Sequence, residues 1–257
     1  MDNIIILIKS TLVLYWEVLQ DTGKGFLKNW WCGVLPIFYV LVVWGVGSLV
    51  VLILPGIIGG LILGLLWALL IANYFVFLAA SVEKEKILFS EIIPETLALF
   101  SPVLSVLFIL YVISLVQSLF LVGAENSFNN FLALAVSLIL VMLFNALPEI
   151  VYQQRGIGFY SFDKSFQFIK ENFVEWFAPQ IFIFFLVYGK SFFSAMNLIE
   201  LAQINPLFSG KLFIGSSGWI VLDLFLMHCF MIFRGILFKQ LLTSSRRKRI
   251  YNYRTNH

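Results

Sequence analysis

Residues 33–80 run for forty-eight positions without one Asp, Glu, Lys, Arg or His. A bilayer's hydrocarbon core is about 30 Å thick and takes about 20 helical residues to cross, so the run is too long for one crossing and suits two. Lipid offers no partner to backbone N–H and C=O groups, which restricts a continuous apolar run to helices. The run therefore reads as a helical hairpin. Its turn falls at Leu54, Pro55 and Gly56, and Pro55 suits the first turn of the second helix, where the N–H it lacks would be unpaired anyway.

The rest of the chain follows the same rule. Charged residues make up 12% and hydrophobic residues 61%, with a mean hydropathy of +0.96. Soluble domains carry about a quarter charged and about half apolar residues, so this mixture cannot cover itself with a water-facing surface. Twenty-eight phenylalanines and seven tryptophans suit lipid-facing walls and interfacial belts. The predicted fold class is all-α, a polytopic transmembrane helical bundle forming one membrane domain over 1–257. Six spans are expected, at 30–53, 55–80, 102–122, 131–150, 173–188 and 218–241. The fifth contains Pro179, which predicts a kink. Segment 190–217 reads as an extracytoplasmic surface helix or as a re-entrant segment. The apolar run at 4–8 is preceded by Asp2, interrupted by Lys9 and followed by no small-residue cleavage site, so it is not a cleavable signal peptide.

Lys and Arg set the orientation. Segments 1–29, 81–101, 151–172 and 234–257 hold fifteen of the seventeen, and the other side holds only Lys190 and Lys211. The positive-inside rule places both termini in the cytoplasm of a cell (inner) membrane. Each pair of spans is preceded by a mixed polar and apolar segment, at 4–19, 88–100 and 162–173, which reads as a helix lying on the cytoplasmic surface. In the third, Phe162, Phe166, Ile169 and Phe173 fall at helical spacing opposite Asp163, Lys164, Lys170 and Glu171. Repetition of surface helix, span and span suggests internal duplication.

One motif concerns packing. Gly56, Gly60, Gly64, Ala68 and Ala72 stand four apart along one ridge of the second span. Small residues let helices approach closely in lipid, where van der Waals contact drives association. Replacing Gly60 and Gly64 by Leu is expected to disrupt folding or assembly, whether the ridge packs within the chain or against another copy.

Ionisable groups within spans form the second candidate site, because they are costly in lipid. These are Asp223, His228 and Arg234 in the last span and Glu149 at the inner end of the fourth. Asp223 and Arg234 share a face but lie about 16 Å apart along the axis. They read as snorkelling end residues, with His228 hydrogen-bonded to a neighbour, rather than as an ion path. Arg246, Arg247, Lys248 and Arg249 form a basic cytoplasmic tail within 242–257 that locks topology and attracts anionic head groups. Cys32 and Cys229 read as buried hydrophobes. No nucleotide loop, zinc-protease helix or nucleophile elbow is present in the sequence, and Gly156 and Gly158 signal only a turn.

Over 147–173 the sequence reads LPEIVYQQRGIGFYSFDKSFQFIKENF. With Pro148, Gly156 or Gly158, Ser165, Phe166, Asn172 and Phe173 it resembles a group of six-span bacterial and archaeal proteins that includes the membrane domain attached to some glycerophosphodiester phosphodiesterases. Ser161 and Glu171 depart from that pattern, where alanine and glycine are usual. The resemblance implies a fold and a membrane location and implies no enzymatic activity.

The expected function is that of a non-catalytic multi-pass membrane protein, a membrane-organising or accessory subunit, with no cofactor and no bound metal. The alternative is a permease subunit that docks a separate cytoplasmic ATPase. Expected partners are the lipid bilayer, including anionic lipids, and further copies or other membrane subunits; nucleic acid is not among them.

Overall fold

The computed structural model describes residues 2–54, 56–83, 85–86, 88–121, 127–194, 220–244 and 251. Among them the chain is almost all helix and holds no strand. In order these are α1 (Asp2–Lys28), a 3-10 turn (Trp30–Val34), α2 (Leu35–Ile53), α3 (Ile57–Glu83), α4 (Phe89–Leu121), α5 (Ser127–Leu143), α6 (Leu147–Gln154), α7 (Phe159–Ser194) and α8 (Ile220–Thr243). Five stretches are long and apolar enough to cross a bilayer: Trp30–Ile53, Ile57–Glu83, Ser90–Gln117, Ala135–Gln154 and Leu224–Thr243. The stretch expected at 173–188 is the second half of α7 and is not among the five. Pro55, Lys211, residues 195–219 and the run from Arg246 to Arg249 lie outside the described residues.

α3 is the axis of the bundle, packed against α1, α2, α4, α6 and α8. Its start is set by Gly56, whose φ of +86° lies in the left-handed region that other residues avoid. The small-residue ridge is split in the structure. Ala68 and Ala72 are fully buried, whereas Gly56, Gly60 and Gly64 are exposed, and a Cβ added at any of the three glycines meets no atom within 4 Å among the described residues. Among the described residues the later part of the ridge, Ala68 and Ala72, packs within the chain and the earlier part, Gly56 to Gly64, does not.

Segment 88–100 is not a separate surface helix. It continues straight into α4 through Pro94 and Pro102, and Ser90–Gln117 is one apolar stretch. Segment 162–173, in contrast, does end at a break: Asn172 has non-helical angles (φ −122°, ψ 21°) and its side-chain N–H donates to the Phe168 carbonyl. The apolar stripe expected on the membrane-facing side of this segment is split between bundle and periphery. Ser161, Phe162, Ser165, Phe168, Ile169 and Asn172 turn inward, and Phe166 and Phe173 turn out. Of these polar groups, Ser165 donates to the Leu143 carbonyl of the neighbouring helix.

The expected fourth span, 131–150, is broken in two. Pro148 has no N–H, and its ring excludes the carbonyl four residues back, so α5 stops at Leu143, the chain turns over Phe144–Ala146, and α6 begins with Pro148 in its first turn. Arg155, with φ of 51°, ends α6. Pro179 also leaves a carbonyl without its helical donor, that of Glu175, and the Tyr15 hydroxyl from α1 donates to it at 2.9 Å.

Candidate functional site

The break between α5 and α6 strips carbonyls at the end of α5 and in the turn after it of their helical partners, and such groups must be paired elsewhere when buried. Side chains from two other helices take them. Ser165 Oγ of α7 donates to the Leu143 carbonyl at 2.8 Å, and Arg234 Nη2 of α8 donates to the Asn145 carbonyl at 2.6 Å.

Arg234 does more than this. Its Nε donates to Glu149 Oε1 at 2.9 Å and its Nη2 to Glu149 Oε2 at 3.0 Å, a two-pronged ion pair. The Glu149 side chain is 0% exposed and that of Arg234 10%. The guanidinium lies over the Trp176 ring, 5.2 Å from its centre, with Phe230 at 5.8 Å. Trp176, itself fully buried, donates its indole N–H to Asn145 Oδ1 at 3.0 Å. One residue of the turn, Asn145, thus accepts from both α7 and α8. Glu149 stands in the first turn of α6, where the helix dipole favours a carboxylate.

The close seating of α6 on α8 depends on Gly235. A Cβ there would run into the Tyr152 hydroxyl and the Val82 side chain, and Gln153 Nε2 donates to the Gly235 carbonyl at 2.8 Å. Arg234 is therefore not a snorkelling end residue. Its α8 neighbours Ile232 to Phe238 are all buried, and its head turns into the bundle because a carboxylate and a free carbonyl wait there.

The four polar positions singled out in the spans do not form one site. Glu149 and Arg234 meet. His228 is separate: its Nδ1 pairs with the Tyr74 hydroxyl at 3.0 Å, and its buried Nε2 has no partner among the described residues. The backbone of Asp223 belongs to α8, and its side chain lies outside the described residues. A third polar contact, not anticipated from the sequence, links α2, α3 and α4: the Tyr39 hydroxyl donates to Asn73 Oδ1 at 2.6 Å, and Asn73 Nδ2 donates to Thr96 Oγ1 at 3.0 Å. Cys32 is buried and Cys229 half-buried, both free. Among the described residues no three His, Cys, Asp or Glu side chains gather as metal ligands do.

Beside the ion pair, α6, α7 and α8 enclose a half-open cavity of about 490 Å3. Its inner wall is the buried Ile150, Phe168 and Phe238, and its outer lip carries Gln154, Lys164, Gln167 and Glu171.

Asn145 and Trp176 carry no motif, yet a signal existed. Glu149 and Arg234 are single charges of opposite sign, each set in an apolar stretch, and burial of both demands that they meet. Comparison with protein families, with curated proteins and with solved structures returned no match.

Proposed function

We propose that this chain is a non-catalytic membrane-organising or accessory subunit of the cell membrane, with both termini cytoplasmic. The observation that carries the reading is a pair of amphipathic helical segments outside the five long apolar stretches. On α1, Leu14 and Val18 pack inward while Ile8, Leu12, Trp16 and Leu19 form an uncovered apolar stripe at helical spacing. On the first half of α7, Phe159, Phe166 and Phe173 repeat every seven residues on the outer face. Such stripes suit helices that lie in the head-group region with their apolar face toward the acyl chains. A bundle that grips one leaflet through two surface helices has the form of a scaffold for lipid or for other subunits. The buried Glu149 and Arg234 support a structural use of charge, since each carboxylate oxygen accepts a bond from the guanidinium.

The test is purification in a mild detergent followed by mass spectrometry of what comes with the chain. Membrane proteins or further copies of this chain are expected in fixed ratio. A stoichiometric cytoplasmic ATPase selects the permease reading instead. Single cysteines introduced at the two ends and labelled from outside intact cells check the orientation; labelling of either terminus overturns it.

A further inference from the structure

We infer that the cavity between α6, α7 and α8 is a binding site for one zwitterionic aminophospholipid, a lipid whose head group joins a phosphate to a primary ammonium. The inference goes beyond the accessory reading and does not depend on it; it requires only that the cavity lie at the bilayer surface.

Depth is the first argument. The apolar stretches Ala135–Gln154 and Leu224–Thr243 both end beside the cavity, at Gln154 and Thr243. Ile150 lies one helical turn inside the first end, and Phe238 lies five residues inside the second, so these two wall residues sit about 6 Å or more deeper than the ends of their stretches. Apolar wall below and polar lip above match the layering of a phospholipid at the interface.

Charge is the second. The lip carries one cation, Lys164, and one anion, Glu171. Seven residues apart on one helix, they share a face and are separated by about 10 Å along it, too far to neutralise each other. Neither has an ion-pair partner among the described residues; Lys164 instead lies over the Tyr160 ring at 5.4 Å. The amides of Gln154 and Gln167 add no net charge. A lip with one charge of each sign matches a head group with one charge of each sign: Lys164 toward the phosphate, Glu171 toward the ammonium. Phosphatidylglycerol offers Glu171 a neutral hydroxyl where the ammonium would stand, and so leaves that carboxylate without a counter-charge. A choline head group has no N–H to donate to Glu171.

Native mass spectrometry of the detergent-purified full chain, offered equal amounts of phosphatidylethanolamine, phosphatidylcholine and phosphatidylglycerol with identical acyl chains, tests this. Retention of phosphatidylethanolamine about fivefold or more above the other two is expected. Glu171→Gln is expected to remove that preference, and Lys164→Gln to weaken all three lipids together. Glu171 is exposed and Lys164 half-buried, so both variants are expected to melt with the wild type. Soluble glycerophosphoethanolamine at the same concentration is expected not to displace the lipid, because it lacks the chains that meet Ile150 and Phe238. Equal retention of the three lipids by the wild type, an unchanged preference in Glu171→Gln, or displacement by the soluble head group overturns the inference.

Discussion

The last apolar stretch and the first differ sharply in how the bundle treats them. Of the most apolar part of Leu224–Thr243, 56% is buried, against 11% for Trp30–Ile53. The first is the more hydropathic of the two, at 2.4 against 1.5. Hydropathy therefore runs opposite to burial, as it should where lipid rather than water is the solvent. An apolar side chain loses nothing by facing lipid, whereas polar groups must be turned inward and paired. α8 is buried because it carries Arg234 and His228; α2 is left at the periphery because, apart from Tyr39, it has little that lipid cannot solvate. Trp44, Leu52 and Ile53 of α2 are accordingly exposed.

This contrast can be broken by changing the polar groups of the buried region. Arg234→Met leaves the Glu149 carboxylate buried with no counter-charge and should lower stability by about 3–5 kcal/mol, read from reversible unfolding in mixed micelles. Adding Glu149→Met to that variant should recover most of the loss. A stable Arg234→Met single variant would mean that the pair does not hold α6 to α8. Gly235→Val, next to it, should cost about 1–3 kcal/mol through overpacking against Tyr152 and Val82, seen as a lower melting temperature. Tyr15→Phe frees the Glu175 carbonyl that Pro179 cannot serve and should cost about 1 kcal/mol by the same measurement.

The peripheral region sharpens the contrast from the other side. Gly60→Leu and Gly64→Leu should change melting by no more than about 0.5 kcal/mol, because the side chains enter open space among the described residues. This revises the sequence-based expectation of disruption. If the double variant instead melts or changes its oligomeric mass in light scattering, the outer ridge has a partner, and the periphery is not merely lipid-facing.

Legibility followed the same division. The helical bundle could be read from residues 33–80 and their like, since an apolar run of that length has one solution in lipid. The turn at Gly56 and the break near Phe173 were legible from local chemistry. The uninterrupted α4 was not, because Pro102 read as the start of a new span after the surface segment 88–100, yet one helix continues through it. Nor was the ridge's division, because five small residues in register look alike until a neighbour covers Ala68 and Ala72 and not Gly60 and Gly64.

Glu149 and Arg234 mark the limit most clearly. Each was singled out as costly, but as an end residue standing alone, because they lie 85 positions apart and no local pattern states that α6 and α8 cross. By itself the sequence determined the class of fold and which side chains lipid would refuse, both consequences of residue type against a uniform solvent. Only the tertiary structure decided who pairs with whom. That choice rests on where the α5–α6 break leaves its carbonyls and on how closely Gly235 lets α6 approach, both properties of helices meeting rather than of any one stretch of chain.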